Sequence, residues 1–169
     1  MEKNLKNLKY IGIRIIGRVR ETHIFLDEKN DEIGGLEFKF WGKDAVYKSK
    51  NEELKLIKKG WPTKRYSLIK EDKVLLSGKQ VFLSRNASIY LQEDGSFKLR
   101  ISGYRRPYVL TDINKKEDLF SIGIKRIAPP DIEVKIISDS LKDIELSNYL
   151  VILTYFIWVG IKRSRIIKF

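Results

Sequence analysis

Residues 149–161 decide the fold of this chain, and they read YLVILTYFIWVGI. The stretch is apolar on every side, so a helix formed from it has no face for water and must be enclosed by protein or by lipid. A bilayer span needs about 20 apolar residues, whereas runs of about 10–14 are typical of helices in a protein core. Acidic residues precede the stretch and basic residues follow it, which suits the helix dipole. We therefore predict an enclosed helix over about 143–160, with Gly160 as its C-terminal stop.

Almost everything before this helix reads as short strands joined by polar turns. Acidic turns centred near residues 30, 51, 71, 94 and 116 indicate a regular succession of hairpins. The Asp94-Gly95 pair is the strongest hairpin signal, and Gly34-Gly35 predicts a bulge or bend. The predicted strands cover residues 10–19, 22–26, 32–41, 45–48, 54–58, 65–69, 74–76, 88–91, 97–101, 108–113, 119–124 and 132–137.

The number of strands constrains how they assemble. About twelve antiparallel strands rarely stay together as one open, twisted sheet. Closure into a barrel removes the exposed edges, but wall side chains do not fill the interior of a barrel that wide. Only residues 144–161 are apolar enough to fill it. The predicted fold class is therefore mainly β: a closed antiparallel barrel of about twelve strands around one central hydrophobic C-terminal helix, in a single domain over residues 1–169.

Charge and composition limit the choice of partners. The 169 residues include 34 Lys and Arg against 22 Asp and Glu, a formal net charge of +12. Such a charge favours an anionic partner, either nucleic acid or an acidic membrane surface. Solubility, or a thermophilic or AT-rich source, is the alternative explanation. The chain has no cysteine, which excludes disulfides and thiolate metal sites, and its polar N-terminal residues are unlike a signal peptide, so a cytoplasmic location is expected.

A meander of hairpins with acidic turns, closed by a hydrophobic helix, resembles the tubby C-terminal-like superfamily. That superfamily includes phospholipid scramblases and LURP-one-related proteins. Residues 53–59 followed by 64–69 are similar to its strand pairs, and residues 139–157 are similar to its final segment. The resemblance covers residues 20–160 and implies a closed barrel around a central helix, with binding at membranes or anionic lipids in place of turnover. No phosphoinositide-binding motif of the tubby proteins matches, and without cysteines or a calcium loop, scramblase activity is not expected.

Residues suited to catalysis or metal binding are few. His23 is the single histidine, which is too few for a His-based zinc site, and it is expected to be structural. No Gly-x-Ser-x-Gly elbow is present, and the glycines at 12 and 17 lack the Lys-Ser/Thr of a P-loop. The paired carboxylates fall in turns, where solvated hairpin tips are expected. We therefore expect no enzymatic activity, no cofactor and no metal, and we identify no small-molecule substrate.

Basic residues interleaved with aromatic ones form the candidate binding surface. This composition suits an interfacial lipid site or a site for single-stranded nucleic acid. The simpler alternative is an ordinary charged face, on which the stems of Lys and Arg cover aromatic rings. The predicted site for an anionic partner consists of Lys58, Lys59, Trp61, Lys64, Arg65, Arg105 and Arg106.

These observations predict a non-enzymatic protein that contacts anionic membrane lipid headgroups, peripherally at a membrane. One alternative is a nucleic-acid-binding protein that uses the same basic surface. Another is a membrane protein in which residues 144–161 form one C-terminal span and the basic tail 162–169 faces the cytoplasm. That tail is also compatible with a last strand or a partner-binding segment.

Overall fold

The computed structural model describes residues 4–17, 19–39, 44–81, 84, 86–91, 96–101, 107–126 and 131–166. In these residues the chain forms twelve β-strands, one α-helix and two 3₁₀ segments, Leu5–Asn7 and Asp139–Asp143. The strands are β1 (Tyr10–Ile16), β2 (Thr22–Leu26), β3 (Glu32–Phe38), β4 (Asp44–Ser49), β5 (Glu53–Lys59), β6 (Lys64–Lys70), β7 (Lys73–Gln80), β8 (Ala87–Leu91), β9 (Ser96–Ile101), β10 (Tyr108–Asp112), β11 (Glu117–Arg126) and β12 (Asp131–Ile136). The helix α1 spans Ser147–Ile166.

The strands form one antiparallel sheet in which each strand pairs with the next along the chain. In addition, β1 pairs with β12, with Tyr10 opposite Lys135 and Arg14 opposite Asp131. The first and last strands of the sheet are therefore also hydrogen-bonded to each other. The prediction of a mainly β chain of hairpins followed by one C-terminal helix is confirmed. The Asp94-Gly95 turn lies outside the described residues, although β8 and β9 on either side of it do pair.

Buried and exposed residues alternate along the strands because one face of the sheet is buried and the other is solvated. In β6, which lies between β5 and β7, Tyr66 and Leu68 are buried and Arg65 is exposed. The predicted irregularity near the glycine pair is a bulge at Ile33, since Phe25 pairs with Gly34 and Leu26 with Glu32.

The helix differs from its predicted bounds at both ends. It begins at Ser147, after a separate 3₁₀ segment that Ser138 caps, with the Ser138 Oγ accepting a hydrogen bond from the Ser140 amide at 3.0 Å. It also continues past Gly160, so the prediction of a stop there is wrong. A β-carbon at Gly160 would lie 3.2 Å from the Tyr66 hydroxyl oxygen. The glycine therefore permits close packing of the helix on β6.

The sheet surrounds α1. Leu150, Val151 and the residues that follow through Ile161 are all buried, and their rings contact strands on different sides of the helix. The ring pairs, with centroids 5.3 to 6.2 Å apart, are Tyr155 with Phe25 of β2, Phe156 with Phe38 of β3 and with Tyr66 of β6, and Trp158 with Tyr108 of β10. The apolar residues 150–161 thus lie at the centre of the core.

The alternative of a C-terminal membrane span over residues 144–161 is contradicted. Within the described part of the chain, no helix combines the length and the apolar character needed to cross a bilayer. The side chains of α1 from Leu150 to Ile161 are buried.

The sheet has two chemically different ends. Because neighbouring strands are antiparallel, connections that follow odd-numbered strands lie at one end and those that follow even-numbered strands lie at the other. We call the first the basic end and the second the acidic-turn end, which carries the turns at 27–31, 50–52, 71–72 and 113–116. The helix starts at the acidic-turn end, where Tyr149 contacts Glu52, and reaches the basic end, where Arg163 contacts Glu21. Its dipole places partial positive charge beside the acidic turns.

Candidate functional site

The hairpin of β5 and β6 carries five of the seven predicted site residues. Lys59 lies directly opposite Arg65, and both side chains are exposed on the outer face. Lys58 lies opposite Tyr66, which faces the helix, so Lys58 belongs to the inner face and is half-buried. Lys64 shares the inward face of Tyr66, and burial lowers its pKa below the ordinary value. The structure therefore brings Lys59 and Arg65 together and separates them from Lys58 and Lys64.

A third cation extends this pair across the outer face. Lys79 of β7 lies directly opposite Arg65 and is exposed. Lys59, Arg65 and Lys79, which we call the cation row, thus occupy facing positions on three adjacent strands. None of the three forms an ion pair with a residue that the structure describes. Like charges directly opposite each other destabilise a sheet, so the cation row favours binding of an anion.

Lys79 was not among the predicted site residues because a bulge determines its position opposite Arg65. The turn at Glu71 and Asp72 places Lys70 opposite Lys73, and an unbroken ladder from that point would put Gly78 opposite Arg65. The register shifts by one residue between Leu68 and Ile69, which brings Lys79 there instead. Nothing in the local sequence of these two strands marks that shift.

An exposed tryptophan lies beside the cation row. Trp61 is 73% exposed in the connection between β5 and β6. A groove of about 580 Å³ runs along this outer face. Its lining combines Trp61, Lys59 and Arg65 with the apolar side chains of Ile57 and Ile69. The surface therefore offers positive charge and apolar area side by side.

Two further apolar side chains protrude at the same end of the sheet. Val19, between β1 and β2, is 82% exposed, and Val81, between β7 and β8, is 57% exposed. With Trp61 they are the three most exposed large apolar side chains in the described part of the chain. The remaining predicted site residues, Arg105 and Arg106, lie outside the described residues.

A polar cluster holds the helix at the basic end, and we call it the buried cluster after its buried pair, His23 and Tyr155. The cluster consists of Glu21, His23, Tyr155 and Arg163. His23 Nδ1 lies 2.6 Å from the Tyr155 hydroxyl, and His23 Nε2 lies 3.2 Å from Glu21 Oε2, which also accepts from Arg163. Since a carboxylate only accepts, Nε2 carries the hydrogen and the Tyr155 hydroxyl donates to Nδ1. The Arg163 guanidinium also lies 4.3 Å from the centre of the Phe38 ring.

Burial sets the protonation states of this cluster. It lowers the pKa of His23 to about 4 and raises the pKa of Tyr155 well above its ordinary value. The ring of His23 is 2% exposed and Tyr155 is fully buried, so no substrate reaches either group in this conformation. The cluster therefore resembles an acid–base relay in composition but joins β2 to the helix, as expected for a structural histidine.

A second polar cluster holds the helix at the acidic-turn end. The Lys70 ammonium and the Tyr149 hydroxyl each donate to Glu52 Oε2 at 2.9 Å, and Lys70 Nζ lies 3.0 Å from the Tyr149 oxygen. These bonds raise the pKa of Lys70, chiefly through the hydrogen bond to Glu52. The side chains of Lys70 and Glu52 remain 34% and 22% exposed. We call Glu52, Lys70 and Tyr149 the exposed cluster.

Comparison with known proteins adds no family to this description. No protein-family model, curated protein or solved structure matches the chain.

Proposed function

We propose that this chain is a non-enzymatic, cytoplasmic protein of the tubby-like type, a closed barrel around its C-terminal helix, which binds anionic lipid headgroups peripherally through its basic end. The cation row beside the exposed Trp61 is the observation that carries this proposal. The net charge of +12 and the resemblance to the tubby C-terminal-like superfamily support it.

Two interactions act together at such a surface. Phosphate and carboxylate groups of acidic lipids relieve the repulsion within the cation row, and each basic residue near an anionic membrane contributes about 1 kcal/mol. Trp61, Val19 and Val81 then enter the boundary between headgroups and acyl chains, where apolar side chains leave water. A single weak contact gives marginal membrane binding, so charge and apolar contact are both needed.

Nucleic acid is the second candidate for the same cation row. Non-specific single-strand binding uses successive aromatic side chains on which bases stack. At the basic end of the described chain, Trp61 is the one strongly exposed aromatic residue, and its exposed neighbours Val19 and Val81 are aliphatic. Aliphatic side chains bury well in lipid but provide no stacking face for bases, which favours the membrane.

Sedimentation with lipid vesicles tests the proposal. The protein is expected to pellet with phosphatidylserine vesicles at low salt and to remain in solution with phosphatidylcholine vesicles. Replacing Lys59, Arg65 and Lys79 with Gln is expected to weaken binding about 100-fold, because three contacts of about 1 kcal/mol are lost. The additional change Trp61→Ala is expected to release the protein even from acidic vesicles.

A matched variant separates location from net charge. Lys29, Lys73 and Lys116 are exposed at the acidic-turn end, so changing all three to Gln removes the same charge from the opposite side of the molecule. This variant is expected to bind vesicles like the wild type. Equal losses in the two triple variants, or retardation of single-stranded RNA with no vesicle binding, would overturn the proposal.

A further inference from the structure

The opposite end of the molecule carries a cleft that the membrane proposal does not use. Its volume is about 820 Å³, within the range of about 300–1,000 Å³ typical of small-molecule sites. It opens between the N-terminal 3₁₀ segment, the start of β3, the turn between β4 and β5, and the first turn of α1. Tyr47, Leu5 and Ile152 are buried residues in its wall, and the other contributors are mostly polar. We call this the polar cleft.

Hydrogen bonds join three side chains in the wall of the polar cleft. The exposed cluster of Glu52, Lys70 and Tyr149 forms part of it, and each member is bonded to the other two. Both bonds to Glu52 end on Oε2, so Oε1 accepts none of the hydrogen bonds made by the described residues. Side chains held in this way lose little freedom when a ligand binds.

The charges of the polar cleft cancel. Glu32 and Glu52 are balanced by Lys50 and Lys70, and the remaining polar side chains are amides and hydroxyls. Such a lining gives a strongly charged ligand no net electrostatic attraction. A neutral ligand with many hydrogen-bonding groups instead forms hydrogen bonds with the polar side chains.

Acceptors in this wall call for a ligand that donates hydrogens. The amide oxygen of Asn4 also has no hydrogen-bond partner among the described residues, but unlike Glu52 Oε1 it is shielded from solvent. Asn4 contributes to the wall of the polar cleft. Glu52 Oε1 is not among the shielded atoms, so it is the acceptor that a ligand hydroxyl reaches in this conformation.

We propose that the polar cleft binds a neutral, hydroxyl-rich small molecule of the saccharide class. Sugar hydroxyls donate to Glu52 Oε1 and to the Tyr149 oxygen, and one accepts the third hydrogen of the Lys70 ammonium, because the Tyr149 hydrogen is already donated to Glu52. This inference is independent of the membrane proposal, since the polar cleft lies at the acidic-turn end.

An NMR titration of the isotope-labelled protein tests the site. Maltose, N-acetylglucosamine and ribose are added in turn to about 20 mM, because weak small-ligand affinities lie in the millimolar range. At least one sugar is expected to shift resonances around the turn between β4 and β5. Tyr149→Phe is expected to weaken that binding about tenfold, equivalent to about 1.4 kcal/mol.

Two controls decide what the titration means. Asn51→Ala removes an exposed amide from the polar cleft and is expected to weaken binding at least threefold, while Asn86→Ala removes an exposed amide outside the lining and is expected to change nothing. Raising the salt is expected to leave sugar affinity unchanged, unlike vesicle binding, since the ligand is uncharged. The inference would be overturned if none of the three sugars shifts any resonance, if the shifts are confined to the basic end, or if Asn51→Ala and Asn86→Ala have equal effects.

Discussion

The two polar clusters that hold the helix are built from similar groups but lie in different surroundings. Each joins a tyrosine of α1 to a glutamate and a cation, and the hydroxyl-to-partner distances are 2.6 Å for Tyr155 and 2.9 Å for Tyr149. The ion pairs are similarly exposed, at 31% and 38% for Arg163 and Glu21 and at 34% and 22% for Lys70 and Glu52. The difference lies in the tyrosine contacts, because His23 is 2% exposed and Tyr155 is fully buried, whereas Tyr149 is half-buried. The hydrogen-bond distances therefore do not show which cluster contributes more to stability. The burial of the bonded groups does.

Burial matters because of what remains when one partner is removed. In the exposed cluster, water replaces a lost partner, so the net loss is small. In the buried cluster, a lost partner leaves a donor or acceptor shielded from water, which costs about 1–3 kcal/mol. The helix is thus held firmly at the basic end and loosely at the acidic-turn end.

Truncating the two tyrosines gives the largest expected contrast. Tyr155→Ala is expected to lower the free energy of unfolding by about 4 kcal/mol, because it leaves a cavity and removes the donor to His23. Tyr149→Ala, at a half-buried position, is expected to cost about 1 kcal/mol. Urea unfolding followed by circular dichroism measures both. Equal losses would show that the two ends hold the helix with similar strength.

Acid is expected to weaken the buried cluster selectively. The pKa of His23 is about 4 in the folded chain against an ordinary value of 6.5, so the unfolded chain binds more protons between these values. The contribution of neutral His23 to the free energy of unfolding is therefore fully present above pH 6.5 and is lost as the pH falls towards 4. Between pH 7 and pH 4.5, the free energy of unfolding is expected to fall by about 2 kcal/mol more in the wild type than in His23→Gln.

Unfolding curves of both proteins at the two pH values give this difference directly, and acid effects common to both cancel. If wild type and His23→Gln lose the same stability on acidification, His23 does not titrate as a buried neutral ring.

The exposed cluster is expected to give the smallest effect. Lys70→Gln is expected to lower the free energy of unfolding by less than about 1 kcal/mol at low salt, with the difference shrinking at high salt as ions screen the pair. Lys73→Gln, at an exposed neighbouring position, serves as the control and is expected to be neutral. A loss that is large and independent of salt would place the Lys70–Glu52 pair among the buried interactions.

Much of the fold follows from the sequence because it rests on two simple patterns. Alternating strands with acidic turns, and one helix with no polar face, predicted the order of elements and the identity of the core segment. The limits of the helix were less predictable, since Gly160 reads as a stop unless its neighbour Tyr66 is known. Contacts between distant segments override local helix signals in this way.

The candidate site was only partly predictable because it depends on register. Lys59, Trp61 and Arg65 are close in sequence and were identified from composition. Lys79 required knowledge of the bulge in the β6–β7 hairpin, since a shift of one residue exchanges the faces of a strand. Arg105 and Arg106 stay predictions, and the polar cleft had no sequence signal, because its walls come from five separated segments.

The pairing of β1 with β12 has a consequence for synthesis on the ribosome. Tyr10 emerges long before its partner Lys135, and the helix that fills the interior follows every strand. Until then the growing sheet has two open borders and an uncovered apolar face, both of which promote aggregation. We therefore expect the nascent chain to be most prone to aggregation until α1 has left the exit tunnel.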